Sequence, residues 1–311
     1  MLTYLIILLD DTSTSYCHYE VNRKKRNLIS IEDLKAGIIW AMKENLNVQF
    51  VYPDYELPSE YLKIIDSLDH TDIKLFRNGK YADVVVLNGW GDDVPEGATC
   101  IIRCCRKELT EHIPVVNNWL KRLTRLNVVL TDVETFKDSD ISNYSDTLSS
   151  LGKNIATLYA SGHTPQLNLL TDRLMLSEMN NCGAGDTSVT LASNGKFYLC
   201  PAFYYADEKD CIGDLHSGLD IKNQQLLRLD HAPICRQCDA FQCRRCVWMN
   251  QKLTMDVNTP SHQQCVVAHL ERNASRELLI KLEKLGVRIS NSQPIEEMNE
   301  LDPFNIVNRW K

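Results

Sequence analysis

The feature that most limits what this chain can become is a run of cysteines in its C-terminal part. Eight of the twelve cysteines fall between residues 182 and 265, and four of them share one twelve-residue stretch as CRQC (235–238) and CRRC (243–246), separated only by DAFQ. Two thiols spaced by two residues are presented by one turn to one metal, so each pair is a ligand signal. In zinc ribbons the two pairs sit on separate hairpins about 15–20 residues apart. Here four thiolates in so short a stretch would crowd a single tetrahedral ion, and the spacing predicts that one of them serves a neighbouring site, as happens where two iron–sulfur clusters lie side by side. Iron–sulfur and zinc both remain open, because thiolate spacing alone does not select between them.

Upstream of the cysteines the pattern is different. Short aliphatic runs at 3–10, 48–52, 73–77, 83–88, 100–103 and 126–131 read as strands and alternate with amphipathic stretches. The clearest helix is IEDLKAGIIWAMKENL (31–46), with Ser30 as its cap and Leu34, Ile38, Ile39 and Met42 as its apolar face. Further helices are expected at 140–160 and 166–178. Alternation of this kind predicts an α/β fold, a partial (β/α) barrel-like N-terminal domain on a parallel sheet. After residue 180 the elements shorten, TSVTLASNGKFYLC reads as a hairpin turning at Asn194 and Gly195, and a helix follows Cys265 as far as Gly286. The expected division is an α/β domain over 1–178, a small cysteine-rich domain over 179–270, and a C-terminal helix and tail over 271–311.

The order of Cys182, GKFYLC with Cys200, CIGDL (211–215), CRQC, CRRC and the isolated Cys265 resembles the SPASM domain, the auxiliary iron–sulfur module that follows the barrel of many radical SAM peptide-modifying enzymes. The last two intervals within the double pair are each one residue shorter than usual. The resemblance implies two 4Fe–4S clusters, with Cys235, Cys238, Cys243 and Cys265 holding the outer one and Cys182, Cys200 and Cys246 the inner one. It leaves one inner iron without an assigned ligand, since LMLSEMNN (174–181) contains no cysteine. Cys211 or a cysteine of a bound peptide would complete it.

With TYLIILLDD before CHYE, the segment AMKENLNVQFVYPDYELP and the cysteine series, the whole chain resembles the CXXX repeat peptide maturases, SPASM-related proteins of ribosomally made, post-translationally modified peptide (RiPP) systems. That family implies a cysteine-repeat precursor peptide and a separate, intact radical SAM maturase as partners. Placed on the three-cysteine loop of radical SAM enzymes, STSYCHYE has Ser13, Cys17 and Glu20 at the ligand positions and Tyr19 as the preceding aromatic. One thiolate out of three is a poor hold on a four-iron cluster, which selects soft sulfur ligands. The glycine-rich turn that would receive the SAM amino group is replaced by VYPDY, where Pro53 has no amide hydrogen and Tyr52 and Tyr55 carry bulk. A relic cluster loop is therefore expected, and SAM is not expected as a cofactor.

A formal charge of -7 argues against sequence-independent nucleic-acid binding, and NRKKRN (22–27), the most basic run, reads as a solvated loop. LTYLIILL ends directly in Asp10 and Asp11 with no cleavage site, so it reads as a strand and the protein as cytoplasmic, with no membrane span. Asp10, Asp11, Asp54, Asp132 and Glu134 fall at strand ends and read as solvated loop residues before they read as bases. Cys100, Cys104 and Cys105 read as buried packing residues, and Arg236, Arg244 and Arg245 as cations that would offset a cluster or, beside zinc, as surface charges. The function expected is a component of a peptide maturation system that binds precursor and auxiliary clusters without cleaving SAM itself. Two alternatives stand beside it, a zinc-stabilised peptide-binding adaptor and an independent metal-assisted cysteine-modifying enzyme.

Overall fold

The computed structural model describes residues 1–77, 82–91, 93–290 and 292–295. Residues 296–311 of the expected tail lie outside the described residues. The chain divides into two compact units, each made of two segments: Met1–Asn88 with Gly183–Arg228, and Gly89–Cys182 with Leu229 onward.

The first unit begins with β1 (Tyr4–Leu8), α1 (Ile31–Lys43), β2 (Asn47–Val51), α2 (Ser59–Ile65), β3 (His70–Leu75) and β4 (Val84–Val86). The second then takes up β5 (Thr99–Cys104), α3 (Arg106–Glu111), α4 (Ile113–Trp119), β6 (Arg125–Leu130), α5 (Ile141–Ala160), β7 (Gln166–Leu167) and α6 (Asp172–Met175). The chain returns to the first unit for β8 (Ser188–Leu191), β9 (Phe197–Tyr198), α7 (Pro201–Ala206), β10 (Gly213–Asp214) and β11 (Gly218–Leu219), and ends in the second with α8 (Val247–Thr254) and α9 (His262–Lys284). Strands of the first unit lie in the order β4-β3-β2-β1-β8-β9, parallel except for the β8–β9 hairpin. In the second unit β6 lies parallel between β5 and β7. The α/β class expected from the alternation is present.

Helix α1 shows how the sequence sets the packing. Ser30 caps it by accepting the Asp33 N–H at 3.0 Å, with Glu32 and Asp33 in the first turn and Lys43 in the last, each favourable to the helix dipole. Its buried face is Leu34, Gly37, Ile38 and Ala41, whereas Ile39 and Met42, expected in the core, are 51% and 68% exposed. The small residues win because the helix lies close to the sheet. A Cβ on Gly37 would stand 2.4 Å from Leu191 Cδ2, so the stripe without bulk must face inward.

The helix expected at 166–178 is replaced by β7 and the short α6. Asn168 bonds the Val128 backbone twice, at 2.8 and 2.9 Å, and Arg125 donates to Gln166 at 2.7 Å, which ties the segment to the edge of β6. Helix α9 starts before Cys265 rather than after it. Ser261 and Gln264 form a reciprocal capping box, and Gly286 follows the helix with φ +74°.

Candidate metal centre and the loop after the first strand

Four of the cysteines face one cavity in the second unit. Cys235 opens a single 3-10 turn, Cys238 follows it, Cys243 closes the next one, and Cys265 sits in the first turn of α9. They line a small cavity of about 20 Å³ together with Arg245 and His269. The turns are held by backbone bonds, Cys238 N–H to Cys235 O at 3.1 Å and Cys243 N–H to Ala240 O at 3.0 Å, and Ala240 N–H donates to Cys238 Sγ at 3.4 Å. Arg244 adopts φ +54°, a left-handed conformation that turns the chain between Cys243 and Cys246. Among the described residues, no group of three or more Cys, His, Asp and Glu side chains is drawn together to hold a single ion.

Burial governs the chemistry of these thiols. It pushes Cys243 well above the ordinary thiol value, with Cys235, Cys238 and Cys265 adding to the rise, and it pushes Cys235 up to about 11 against the opposing charge of Arg245. Buried thiols of this kind are inert unless a metal replaces the proton. The surroundings suit that replacement. Arg245 is 1% exposed and donates to the amide oxygens of Asn181 and Asn258 at 3.1 and 3.3 Å. It is thus a buried cation rather than the surface charge expected beside zinc, while Arg244 is half exposed and pairs with Asp172 at 3.6 Å. Four thiols and a buried guanidinium match a metal–thiolate cluster of net negative charge.

Cys182, Cys200, Cys246 and Cys211 do not line this cavity. Cys182 N–H donates to Arg244 O at 3.2 Å, which brings its backbone beside the CRRC turn, and Cys246 precedes α8. Cys200 precedes α7 in the first unit, and Cys211 follows a 3-10 turn there. The CIGDL turn needs its glycine: Gly213 has φ +130°, and a Cβ there would lie 1.9 Å from Gly218 O.

In the first unit, the loop after β1 is bound shut against the end of β2. Ser13 is fully buried; its hydroxyl donates to Val51 O at 2.8 Å and accepts the Asp10 N–H at 3.0 Å. Ser13 also forms a β-bridge to Pro53, and Thr14 N–H donates to Tyr52 O at 2.9 Å. Cys17 is half-buried and Glu20 is exposed. Tyr19 stacks on Tyr205, with ring centroids 5.3 Å apart and planes within 10°, and meets Tyr16 edge-on.

The neighbouring acids are also committed. Asp10 accepts from Thr12 N and Oγ1, Asn27 N and Tyr55 OH, at 2.6 to 2.9 Å. Asp11 accepts from Ser193 Oγ and Tyr204 OH in short hydrogen bonds and faces Arg23 at 3.5 Å. Arg23 also donates to Tyr204 OH and O, pairs with Glu208 at 2.8 Å and lies 4.0 Å over the Tyr204 ring. Arg26 lies 4.0 Å over Tyr55. Two of the four basic residues of NRKKRN are therefore packed on tyrosines, which the solvated-loop expectation did not foresee. In the second unit Asp132 pairs with Arg106 at 3.4 Å and Glu134 with Lys252 at 2.7 Å.

With this geometry in place, solved structures supply a likeness. The chain shares the fold of anSMEcpe. A native form of anSMEcpe with bound AdoMet and Kp18Cys peptide superposes with a TM-score of 0.59 at 14% identity, covering 90% of this chain and 99% of that one. The form with AdoMet and Cp18Cys peptide gives 0.59 at 13% identity over 91% and 99%, and the hexahistidine-tagged form with AdoMet gives 0.58 at 14% identity over 91% and 99%. No protein-family model and no curated protein matches the chain.

The residues that sequence reasoning missed are Arg23, Ser193, Tyr204 and Tyr205 around Asp11 and Tyr19, and His269 at the cavity. PAFYYA (201–206) carried a signal for the tyrosines, two adjacent aromatics directly after Cys200. His269 carried one too, since it lies one helical turn beyond Cys265. Cys100 and Cys104 are buried as expected, and Cys105 precedes α3, its backbone N–H donating to Glu108 at 2.8 Å.

Proposed function

We propose that this chain is a component of a ribosomal peptide maturation system, binding a cysteine-repeat precursor and auxiliary iron–sulfur clusters and leaving SAM cleavage to a separate, intact radical SAM maturase. The observation that carries this reading is the gathering of Cys235, Cys238, Cys243 and Cys265 on one buried cavity in a chain with the fold of anSMEcpe, whose structures hold a cysteine-containing peptide. The commitment of Ser13 to Val51 and Asp10, and the exposure of Glu20, support the loss of the SAM-cleaving cluster.

On this reading residues 179–270 form the cluster module, between the α/β part over 1–178 and the helix and tail over 271–311. Cys235, Cys238, Cys243 and Cys265 hold the outer cluster; Cys182, Cys200 and Cys246 hold the inner one, completed by Cys211 or by a precursor cysteine. Such clusters supply one-electron transfer when bound. The chain's own part is to ligate, to exclude water and to hold the precursor thiol.

Anaerobic purification followed by iron, sulfide and zinc analysis tests the cofactor. About eight irons with matching sulfide are expected for two four-iron clusters; stoichiometric zinc without iron would favour the adaptor alternative. Reduced protein with SAM should release no 5'-deoxyadenosine above background. Robust release by the chain alone would sink the accessory role. Co-expression with a precursor, read by peptide mass, separates an accessory from an independent cysteine-modifying enzyme.

A further inference from the structure

The Cys238 side of the cavity is surrounded by donors that the ligand assignment does not use. His269 is 1% exposed, and its Nε2 lies 3.5 Å from Cys238 Sγ. A metal-bound sulfur has no proton to give, so a nitrogen at that distance makes a favourable contact only as an N–H donor. The Ala240 N–H already donates to the same sulfur.

Behind Cys238, two buried guanidiniums share one carboxylate. Arg272 Nη1 bonds Asp239 Oδ1, and Arg173 Nη2 stands 3.7 Å from Asp239 Oδ2. Arg173 is 3% exposed and stacks 4.3 Å from the Phe241 centroid, and its Nε and Nη1 are buried with no hydrogen-bond partner. Two cations on one anion leave an excess positive charge in a place where uncompensated charge is strongly disfavoured. Both guanidiniums lie within electrostatic reach of Cys238.

We propose that His269, Arg173 and Arg272 form a donor shell on the Cys238 side of the outer cluster and stabilise its reduced, more negative state. This rests on the cluster reading of Cys235, Cys238, Cys243 and Cys265. An N–H aimed at sulfur and a nearby positive charge both favour the form that has gained an electron, and so raise the reduction potential. The electron comes from an external reductant, dithionite in the titration below. No proton transfer is required.

The test is an anaerobic redox titration of the full chain followed by electron paramagnetic resonance, on the signal that Cys235→Ala abolishes, with iron and sulfide measured on every sample. His269→Leu should keep its iron while the reduced-to-oxidised ratio at a fixed potential falls about tenfold, a shift of about 59 mV for a one-electron couple. His269→Gln, which keeps an N–H donor, should stay near the parent. Arg173→Met should move the same way as His269→Leu, and Arg173→Lys, which keeps the charge and a buried fold, should move less. Unshifted potentials in His269→Leu and Arg173→Met with full iron would overturn the donor shell while leaving the cluster reading intact. Loss of iron from a folded His269→Leu would overturn it by making His269 a ligand. Zinc in place of iron in the parent protein would overturn the cluster reading beneath it.

Discussion

Ser13 Oγ donates to the Val51 carbonyl at 2.8 Å and takes the Asp10 N–H at 3.0 Å, so one hydroxyl satisfies two backbone groups at the ends of β1 and β2. Ser13→Ala removes both bonds at a fully buried position. A loss of about 1–3 kcal/mol in unfolding free energy is expected, the cost of stranding buried polar groups, and urea denaturation measures it. The double variant Ser13→Cys/Glu20→Cys, which restores the thiol pattern, should still not cleave SAM, because Pro53 and Tyr52 remain. Release of 5'-deoxyadenosine by that variant would show that the ligands alone had been missing.

A second expectation concerns pH. Glu271 on α9 is buried and its carboxyl is pushed up to about 7 by burial, with hydrogen bonds from Tyr144 and Gln242 pulling down and Asp172 pushing up. In the unfolded chain the carboxyl ionises near the ordinary glutamate value of 4.5. Between these values the folded form holds a proton that the unfolded form has released, so this residue's contribution to stability falls as pH rises and stays lower above about 7. Glu271→Gln should therefore gain on the parent by up to about 3 kcal/mol across that window, read from denaturation curves at matched pH. A difference that does not change with pH would refute the assignment.

Partition of the metal is a third. On the two-cluster reading proposed above, Cys235→Ala should remove about four of about eight irons. Loss of all iron with retained helical circular dichroism would mean that the two ligand sets are not separable. The small loop-rich segment around the double pair should also lose protease resistance, because few apolar contacts hold it without metal.

The glycine of CIGDL gives a fourth. Gly213→Ala places a Cβ where the Gly218 carbonyl stands and at a φ that L residues avoid. A cost of more than about 1 kcal/mol is expected, seen as a lower midpoint in thermal or urea unfolding.

The α/β class and the end of α9 were legible in the sequence, because strand runs and caps are local signals; the grouping of Cys265 with Cys235, Cys238 and Cys243, which line one cavity, came from the SPASM resemblance and not from spacing. What was not legible depends on what a segment meets after folding. Gly37 and Ala41 displaced Ile39 and Met42 from the core face of α1 because closeness to Leu191 outweighed hydrophobicity. Asn168 drew residues expected to be helical onto β6. Arg23 and Arg26 looked like solvent-facing charge until Tyr204 and Tyr55 were in place beneath them. The buried arginines among the described residues, Arg173, Arg245 and Arg272, are invisible to spacing, since nothing in a sequence marks a guanidinium as dry.

The pairing of β1 with β8 has a consequence for biosynthesis. Leu5 aligns with Val48 on one side and with Val189 on the other, so one edge of β1 waits for a strand made much later. At ribosomal rates of about 5–20 residues per second the delay is about 10 to 40 s. During that interval a buried, aliphatic strand offers an open row of backbone donors and acceptors to any passing chain. The nascent protein is most exposed to misassembly before residue 191 emerges, and a chaperone that shields its first strand would act in that window.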